Sequence, residues 1–118
     1  MKYHIVYIET RPEIQEKLSV GVIVMTGEMV EVLTSSKKMK AAEVLLSEKE
    51  YRFISRTLGE MKNSVKTKKV VDYLTRYSNN LITVSPMQTI DMEYSSRNRD
   101  WLYRNYVYDG TKRNKVST

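Results

Sequence analysis

Apolar residues alternate through the first third of the chain with the two-residue repeat of a β-strand. In residues 2–9, one side is formed by Tyr3, Ile5 and Tyr7, and the other by His4, Val6 and Ile8. Successive side chains of a strand point to opposite faces of a sheet, so both faces of this strand are largely apolar. We therefore predict a central strand that is covered on both sides.

A second strand is predicted over residues 18–25, after a polar loop that spans residues 10–17. Simple alternation places four of its apolar residues on one face, namely Leu18, Val20, Val22 and Val24. Gly21 falls on the other face, where a glycine indicates a β-bulge or a close approach of neighbouring backbone.

The third strand follows a tight turn. Residues 26–28 (TGE) are few and contain glycine, which is typical of a β-hairpin, and residues 29–34 continue as an apolar strand. Glu31 interrupts the apolar residues of that strand, which favours either a solvated face or an edge position in the sheet.

The periodicity changes to that of helices after Ser35. We predict that Ser36 caps a short helix, whose apolar stripe is Met39, Ala42, Leu45 and Leu46. Ser47 and Glu50 then have the spacing of a capping box. The helix that they begin has its apolar stripe at Tyr51, Ile54, Leu58, Met61 and Val65. A further helix is predicted near residues 67–77, ended by Asn79 and Asn80.

The last third of the chain adds one strand and one helix. Residues 81–84 form the strand, which Pro86 stops or places at an edge. Ser95 or Ser96 caps the helix, which runs to about Val107 and buries Trp101 or Leu102 together with Tyr106.

The element order β-β-β-α-α-α-β-α predicts an α+β fold. We expect a single compact domain, residues 1–108, with three to four helices packed on a mostly antiparallel sheet of about four strands. The polar, basic residues 109–118 are predicted to form a flexible tail.

The composition limits the chemistry that the chain can carry. Its 118 residues suit one domain, and the absence of cysteine excludes disulfides, thiolate zinc sites and a cysteine nucleophile. No apolar run approaches the ~20 residues of a membrane span, and the first residues lack the apolar segment of a signal peptide. We therefore expect a cytoplasmic protein with no membrane partner and no cofactor.

Three segments carry a resemblance to a known family. They are residues 3–7 (YHIVY), residues 16–22 (EKLSVGV), and a strand, proline and helix that run from residues 81–86 (LITVSP) to residues 101–103 (WLY). On these segments the chain resembles a bacterial family known as domain of unknown function 3037. The resemblance implies no established activity. Some members of that family lie beside HipA-type serine/threonine kinases, which implies a regulatory or toxin–antitoxin setting and a kinase-like partner.

Few residues suit catalysis. His4 is the only histidine, and we interpret it as structural because it lies in mid-strand among apolar residues. Glu9, Glu13 and Glu16 surround the first loop with Lys17 beside them, so they are candidates for a metal or acid–base site, although their spacing matches no calcium loop. No phosphate-binding glycine loop or nucleophile elbow is present. We assign no catalytic residue and no metal ligand.

Basic residues interleaved with tyrosines are the remaining functional signal. The net charge is +6, from 20 basic and 14 acidic residues, and the chain contains nine tyrosines. Basic and aromatic groups together can hold phosphates and stack on bases. The candidate binding residues are Arg52, Arg56, Lys62, Lys66, Arg97, Arg99, Tyr103 and Arg104.

Three functions are compatible with these observations. The first is a non-enzymatic protein–protein interaction or regulatory module that binds another protein or itself. The second is a nucleic-acid-binding module that uses the basic helix surface, and the third is a small hydrolase or nuclease with a site in the carboxylate loop. We favour the first, because the chain has many tyrosines, which suit contact surfaces, and nominates no cooperating catalytic groups.

Overall fold

Five strands and three helices make up the part of the chain that the computed structural model describes, which is residues 1–11, 13, 16–27, 29–64 and 81–107. The strands are β1 (Lys2–Arg11), β2 (Glu16–Thr26), β3 (Met29–Thr34), β4 (Ile82–Val84) and β5 (Gln88–Thr89). The helices are α1 (Ser36–Leu45), α2 (Glu48–Ser64) and α3 (Ser96–Tyr106). The helix predicted near residues 67–77, and the tail at residues 109–118, lie outside the described residues.

The strands form one antiparallel sheet in the order β3-β2-β1-β4, with β5 also paired to β1. This arrangement confirms the α+β class and the mostly antiparallel sheet that the element order predicts. Strand β1 lies in the interior of the sheet, because it pairs with β2 on one side and with β4 and β5 on the other. Strand β3 lies at an edge, which confirms one of the two positions expected from Glu31.

The sheet is covered on both faces, as the alternation in β1 predicts. On one face, Val6 and Ile8 pack in a core with residues of α1 and α2, including Ile54. On the other face, Tyr3 and Ile5 pack in a second core with residues of α3. Helices α1 and α2 therefore lie on one side of the sheet, and α3 lies on the opposite side.

The predicted face assignment of β2 is wrong beyond Val20. The register changes from Val6 opposite Gly21 to Tyr7 opposite Ser19, which leaves Val20 as an extra residue in β2. A β-bulge of this kind reverses the alternation. The core below α1 and α2 therefore contains Leu18, Val20, Ile23 and Met25, whereas Val22 and Val24 belong to the core below α3.

Gly21 also allows the close backbone contact that its sequence context indicates. A Cβ atom at this position would lie 2.4 Å from the carbonyl oxygen of Leu33 in β3. That distance is shorter than van der Waals contact allows, so any side chain here would separate β2 from β3. Both interpretations of Gly21, the bulge and the close approach, are therefore confirmed.

The β2–β3 hairpin has the turn that residues 26–28 predict. Thr26 pairs with Met29, so the loop contains two residues. Gly27 has a φ of +59°, which the first residue of a primed hairpin turn requires and which glycine adopts without a steric cost.

The helix caps are close to those predicted, with one shift. Ser35, and not Ser36, caps α1, because its side-chain oxygen accepts a hydrogen bond of 3.0 Å from the Lys38 backbone nitrogen. The capping box of α2 is confirmed, since the backbone nitrogens of Ser47 and Glu50 each donate to the other residue's side chain. The predicted burial of Leu45 is wrong: its side chain is 55% exposed, because α1 ends there and only Ala42 is fully buried.

The second edge of the sheet is built around Ser85. Strand β4 is the fourth strand predicted at residues 81–84, whereas β5 was not predicted. Val6 pairs with Val84 and Tyr3 pairs with Gln88, so two residues of β1 face three residues of the other segment. This edge therefore contains a bulge at residues 85–87. Ser85 bridges the gap: its Oγ accepts from the Ile5 nitrogen at 2.8 Å, and its carbonyl oxygen accepts from Nδ1–H of the buried His4 at 2.8 Å.

Helix α3 begins and ends where the sequence predicts. Ser95 caps it by accepting from the Asn98 nitrogen, and Val107 is its C-cap. Leu102 and Tyr103 are buried, whereas Trp101 and Tyr106 are only partly buried. No helix in the described part of the chain is long and apolar enough to cross a membrane.

Candidate functional site

An open apolar groove lies at the end of the sheet where β1 begins and β2 ends. Its volume is about 380 Å³. The residues that line it, called here the methionine groove, are Met1, Lys2, Met25, Thr26, Gly27, Met87 and Tyr94. Met87 is 53% exposed and Tyr94 is 40% exposed, so large apolar side chains face the solvent here.

Backbone pairing holds the floor of the methionine groove in place. Lys2 pairs with Met25 of β2 on one side and with Thr89 of β5 on the other. The Met1 nitrogen donates to the carbonyl oxygens of Ile90 and Met92 at 3.1 and 2.9 Å, and the Met1 carbonyl accepts from the Ile90 nitrogen. Three separate parts of the chain are therefore fixed against one another at this end of the sheet.

Met87 reaches the groove because of the bulge at residues 85–87. These residues do not continue the ladder between β4 and β5, and Pro86 has no N–H with which to pair. Ser85 is anchored on the Ile5 and His4 side, so the chain leaves the sheet immediately after it and presents Met87 to solvent. His4 therefore has the structural role that its position in mid-strand predicts.

Tyr94 is fixed at the side of the groove by a charged network. Its hydroxyl donates to Glu31 at 2.6 Å, and Arg99 of α3 donates to the other oxygen of Glu31 at 2.8 Å. Asp100 is a second partner of Arg99 at 3.3 Å. This network ties the edge strand β3 to α3 and holds the Tyr94 ring beside the methionines.

The electrostatics of this network favour the charged form of Arg99 and the neutral form of Tyr94. The hydrogen bond to Glu31, followed by burial, raises the pKa of Tyr94. Burial alone would lower the pKa of Arg99, but the negative charges of Glu31 and Asp100 outweigh it and raise that pKa. The polar groups of this network are thus bonded to one another, and the described lining of the groove is mainly apolar apart from Lys2 and Thr26.

A second, more polar cleft lies between α1 and α2. It has a volume of about 480 Å³ and includes Lys40, Tyr51 and Ser55 in its lining. A neighbouring depression shares Tyr51 and Ser55 and adds two acidic and two basic side chains, Glu43, Glu48, Arg52 and Arg56. The described lining of this depression therefore carries side chains of both signs.

Within the described residues, Glu9 and Glu16 of the first loop bind different partners. Glu9 accepts a hydrogen bond of 2.8 Å from the Thr83 hydroxyl, and Glu16 accepts one of 2.9 Å from the Thr10 hydroxyl. Glu13 is exposed. Among the residues that the structure describes, no group of three or more histidine or carboxylate side chains is placed to hold a metal ion.

Lys17 is also engaged at this end of the sheet. Its ammonium group lies 4.4 Å from the centre of the Tyr7 ring, which is within the range of a cation–π interaction. Glu9, Glu16 and Lys17 therefore each interact with a neighbouring strand of the sheet.

The basic candidates are divided between the two sides of the sheet. Arg52 and Arg56 are exposed on α2, and Arg52 pairs with Glu48 one helical turn away. Arg97 and Arg104 are exposed on α3, which covers the opposite face.

The other members of the candidate binding set are engaged in the fold or lie beyond what is described. Arg99 is engaged with Glu31 and Asp100, and Tyr103 is 2% exposed and packs in the core below α3. Lys66 and the side chain of Lys62 lie outside the described residues. The described members thus form no single basic surface, and Tyr103 has no face on which a base could stack.

The methionines of the groove were not identified from the sequence. Of the six tyrosines in the described part of the chain, only Tyr94 is exposed, and Met87 is the exposed methionine beside it in the groove. The available signal was the methionine content, seven residues in all, with Met87 directly after a proline at a strand end. Only the pairing of β5 with β1 brings Met87 to Met1 and Met25.

Comparisons with protein-family models, with curated proteins and with solved structures gave no match to this chain. The resemblance to the domain of unknown function 3037 family therefore stays a prediction.

Proposed function

We propose that this protein is a protein–protein interaction module whose methionine groove receives an apolar side chain of an acidic partner protein. The observation that carries the proposal is the exposure of Met87 and Tyr94 around an open apolar groove of about 380 Å³. Methionine is flexible and polarizable, so surfaces rich in it adapt to the side chain of a partner. Exposed apolar side chains that cluster in one groove are typical of contact surfaces.

Charge supports an acidic partner. Lys2 is exposed beside the groove, and the chain carries a net charge of +6. Opposite charge on the partner would speed the encounter and orient it, while the apolar contact would supply most of the affinity.

A small-molecule ligand is supported less well than a protein. Small-molecule sites combine apolar walls with a few polar groups that converge on the ligand. Here the hydroxyl of Tyr94 is already bonded to Glu31, and among the described lining residues the other polar side chains are Lys2 and Thr26. A nucleic-acid surface is supported less well because the described basic residues are divided between two faces.

The resemblance to a family found beside HipA-type kinases makes a kinase-like protein the first partner to test. If this protein binds such a kinase, the surface of the kinase that it covers determines how the kinase is regulated. This step rests on the resemblance and not on the groove, so the groove proposal stands without it.

The test compares matched variants of the tagged protein. Met87→Glu places a charge in the groove at a side chain that is 53% exposed, so the fold should tolerate it. Val44→Glu makes the same kind of change on α1, at a side chain that is 85% exposed and not part of the groove lining. Proteins retained from host lysate by the wild type, after nuclease treatment, are purified and titrated against each variant by calorimetry.

We expect Met87→Glu to weaken binding of the partner about tenfold or more, which corresponds to about 1.4 kcal/mol, and Val44→Glu to leave it unchanged. We also expect Lys2→Glu to slow association at low salt, with little change in the dissociation rate. Equal affinities of the wild type and Met87→Glu for the partner would contradict the groove proposal. In a parallel capture without nuclease, recovery of nucleic acid alone, lost as salt rises, would favour the nucleic-acid alternative.

A further inference from the structure

Met87 is the exposed methionine among those whose side chains the structure describes. Its side chain is 53% exposed, whereas that of Met25 is 7% exposed. Met1, Met39 and Met92 are partly buried. An oxidant dissolved in water must reach the sulfur atom to react with it, so Met87 is the described methionine that such an oxidant modifies first.

The chain offers an oxidant no thiol. It contains seven methionines and no cysteine, so thioethers are its only sulfur groups. A response of this protein to peroxide at sulfur must therefore use methionine. Oxidation of methionine to its sulfoxide is reversible, because reductases restore the thioether, and it converts a flexible apolar side chain into a polar one.

The backbone on both sides of Met87 is held by the sheet. Ser85 accepts from the Ile5 nitrogen at 2.8 Å, and its own nitrogen donates to the Ile5 carbonyl oxygen at 2.9 Å. Gln88 pairs with Tyr3 of β1, whose hydroxyl donates to the Gln88 side chain at 3.0 Å. Modification of the Met87 side chain should therefore change the surface of the groove and leave the fold intact.

We propose that Met87 is a site of reversible oxidation by hydrogen peroxide, and that its sulfoxide releases the partner from the methionine groove. The release step rests on the proposed function, whereas the oxidation of Met87 does not. The modification site and its effect on binding are therefore tested separately.

The oxidation transfers one oxygen atom. The lone pair of the Met87 sulfur attacks one oxygen of the peroxide, so that an S–O bond forms and the O–O bond breaks. The proton of the transferred oxygen passes to the departing hydroxide, which leaves as water. Sulfur loses two electrons and the peroxide gains them. In the reverse direction, a reductase removes the oxygen as water while two thiols are oxidised to a disulfide.

The sulfoxide places a polar group where the partner needs an apolar one. The described lining of the groove is apolar apart from Lys2 and Thr26, and the hydroxyl of Tyr94 is bonded to Glu31. An apolar side chain of the partner would cover the sulfoxide oxygen without supplying a donor. A buried acceptor without a donor is costly enough to weaken binding about tenfold.

The first experiment locates the oxidation and needs no partner. The wild-type protein is treated with hydrogen peroxide, quenched with free methionine and digested with trypsin, and the sulfoxides are located by mass spectrometry. Cleavage after Arg76 and Arg97 gives one peptide that contains both Met87 and Met92, so fragmentation compares their rates within the same peptide. Met25 is the buried reference in another peptide.

We expect Met87 to be oxidised at least about tenfold faster than Met25 in the folded protein, and also faster than Met92. The three rates should become similar in urea, because unfolding exposes all three side chains. Oxidation of Met25 or Met92 as fast as Met87 in the folded protein would overturn the modification site.

The second experiment measures the effect on the partner that the groove retains. Calorimetry compares the wild type before peroxide, after peroxide, and after treatment with a dithiol and two methionine sulfoxide reductases, one for each sulfoxide epimer. The affinity should fall about tenfold and then return. Met87→Leu is the control, because leucine has a similar volume and carries no sulfur. Whatever the affinity of this variant, peroxide should not change it.

The outcomes separate the oxidation from the groove proposal. An equal loss of affinity in wild type and Met87→Leu would overturn the switch, because another methionine would then cause it. If Met87→Glu weakens binding but the sulfoxide does not, the release step is wrong, since the sulfoxide oxygen would have found a donor such as Lys2. If Met87→Glu leaves binding unchanged, the groove proposal and the release step both fail, and the oxidation rates alone decide the modification site.

Discussion

The two ends of the β1–β2 pair differ in a way that their sequences do not suggest. The end at the first loop carries three charged residues that are candidates for a site from the sequence, Glu9, Glu16 and Lys17. Each of these contacts a neighbouring threonine or tyrosine of its own sheet. The opposite end contains no conspicuous chemistry, yet it holds the methionine groove, where Met87 and Tyr94 face solvent.

The difference shows how interaction sites arise in a small domain. A charge at a strand end finds a partner on the next strand, because the residue opposite lies only about 5 Å away. An apolar side chain at a bulge has no such neighbour, because the ladder is interrupted there. The surface left for a partner is therefore the apolar end, and the following predictions test that contrast.

The largest effect is expected at Gly21, which allows β2 and β3 to approach between the two ends. Gly21→Ala should lower the free energy of unfolding by about 3 kcal/mol, because its Cβ would overlap the backbone of Leu33. Urea unfolding monitored by circular dichroism measures this loss.

Gly59→Ala is the matched control. This glycine lies inside α2, and a Cβ there meets nothing within 4 Å. Stability should rise by about 0.5–1 kcal/mol, because alanine favours a helix. A cost at Gly21 no larger than the change at Gly59 would contradict the close approach of β2 and β3.

The next effect concerns the turn that borders the methionine groove. Gly27→Ala should cost about 1–2 kcal/mol, because a residue with a side chain is strained at a φ of +59° although space is free around it. Gly27→Asn should cost less, since asparagine tolerates this conformation. Equal melting temperatures for Gly27→Ala and Gly27→Asn would show that the positive φ at residue 27 does not strain a side chain.

A pH effect is expected from Tyr3, which lies beneath the groove end of β1. Burial, followed by its interaction with Tyr106, raises the pKa of Tyr3 from 10.0 to about 12. The unfolded chain therefore loses this proton first as pH rises. The stability of the neutral form is fully present below pH 10 and is lost as the pH rises to about 12.

Tyr3→Phe should remove that part of the pH dependence, which we expect to be on the order of 1 kcal/mol. The measurement is the urea midpoint of both proteins from about pH 9 to about pH 12. Parallel curves for wild type and Tyr3→Phe would show that another group causes the fall.

The smallest effect is expected at the charged end. Lys17→Ala removes a partly solvated cation–π interaction and should cost about 0.5 kcal/mol, with no change in affinity for the partner. Lys2→Ala is the counterpart at the groove, and it should slow association with an acidic partner without a comparable loss of stability. A binding defect in Lys17→Ala, and none in Lys2→Ala, would reverse the assignment of the two ends.

Much of the fold follows from local sequence signals. Alternation in β1, the capping box of Ser47 and Glu50, the Gly27 turn and the Ser95 cap each involve residues within a few positions of one another. Their energies are set by local geometry, so a sequence pattern is enough to predict them. The edge position of β3 was one of two alternatives that Glu31 indicated.

Two of the differences from the sequence predictions arise from long-range pairing and packing. The bulge at Val20 changes which face Val22 and Val24 occupy, and its position depends on the register against β1. Tyr103 is buried because α3 packs on the sheet, whereas helical spacing alone does not decide which of its aromatic residues face inward. Sequence reasoning could propose residues for a site, but it could not show which of them share a surface.

The sequence by itself determined the α+β class, the central two-sided strand, the caps of α2 and α3, and the absence of cysteine chemistry. These depend on residue type and on spacings within one element. The tertiary structure alone decided that Arg52 and Arg97 lie on opposite sides of the sheet, and that Met1, Met25 and Met87 form one groove. The groove joins Met87 to residues that lie more than 60 positions earlier in the chain, and only strand pairing and packing bring them together.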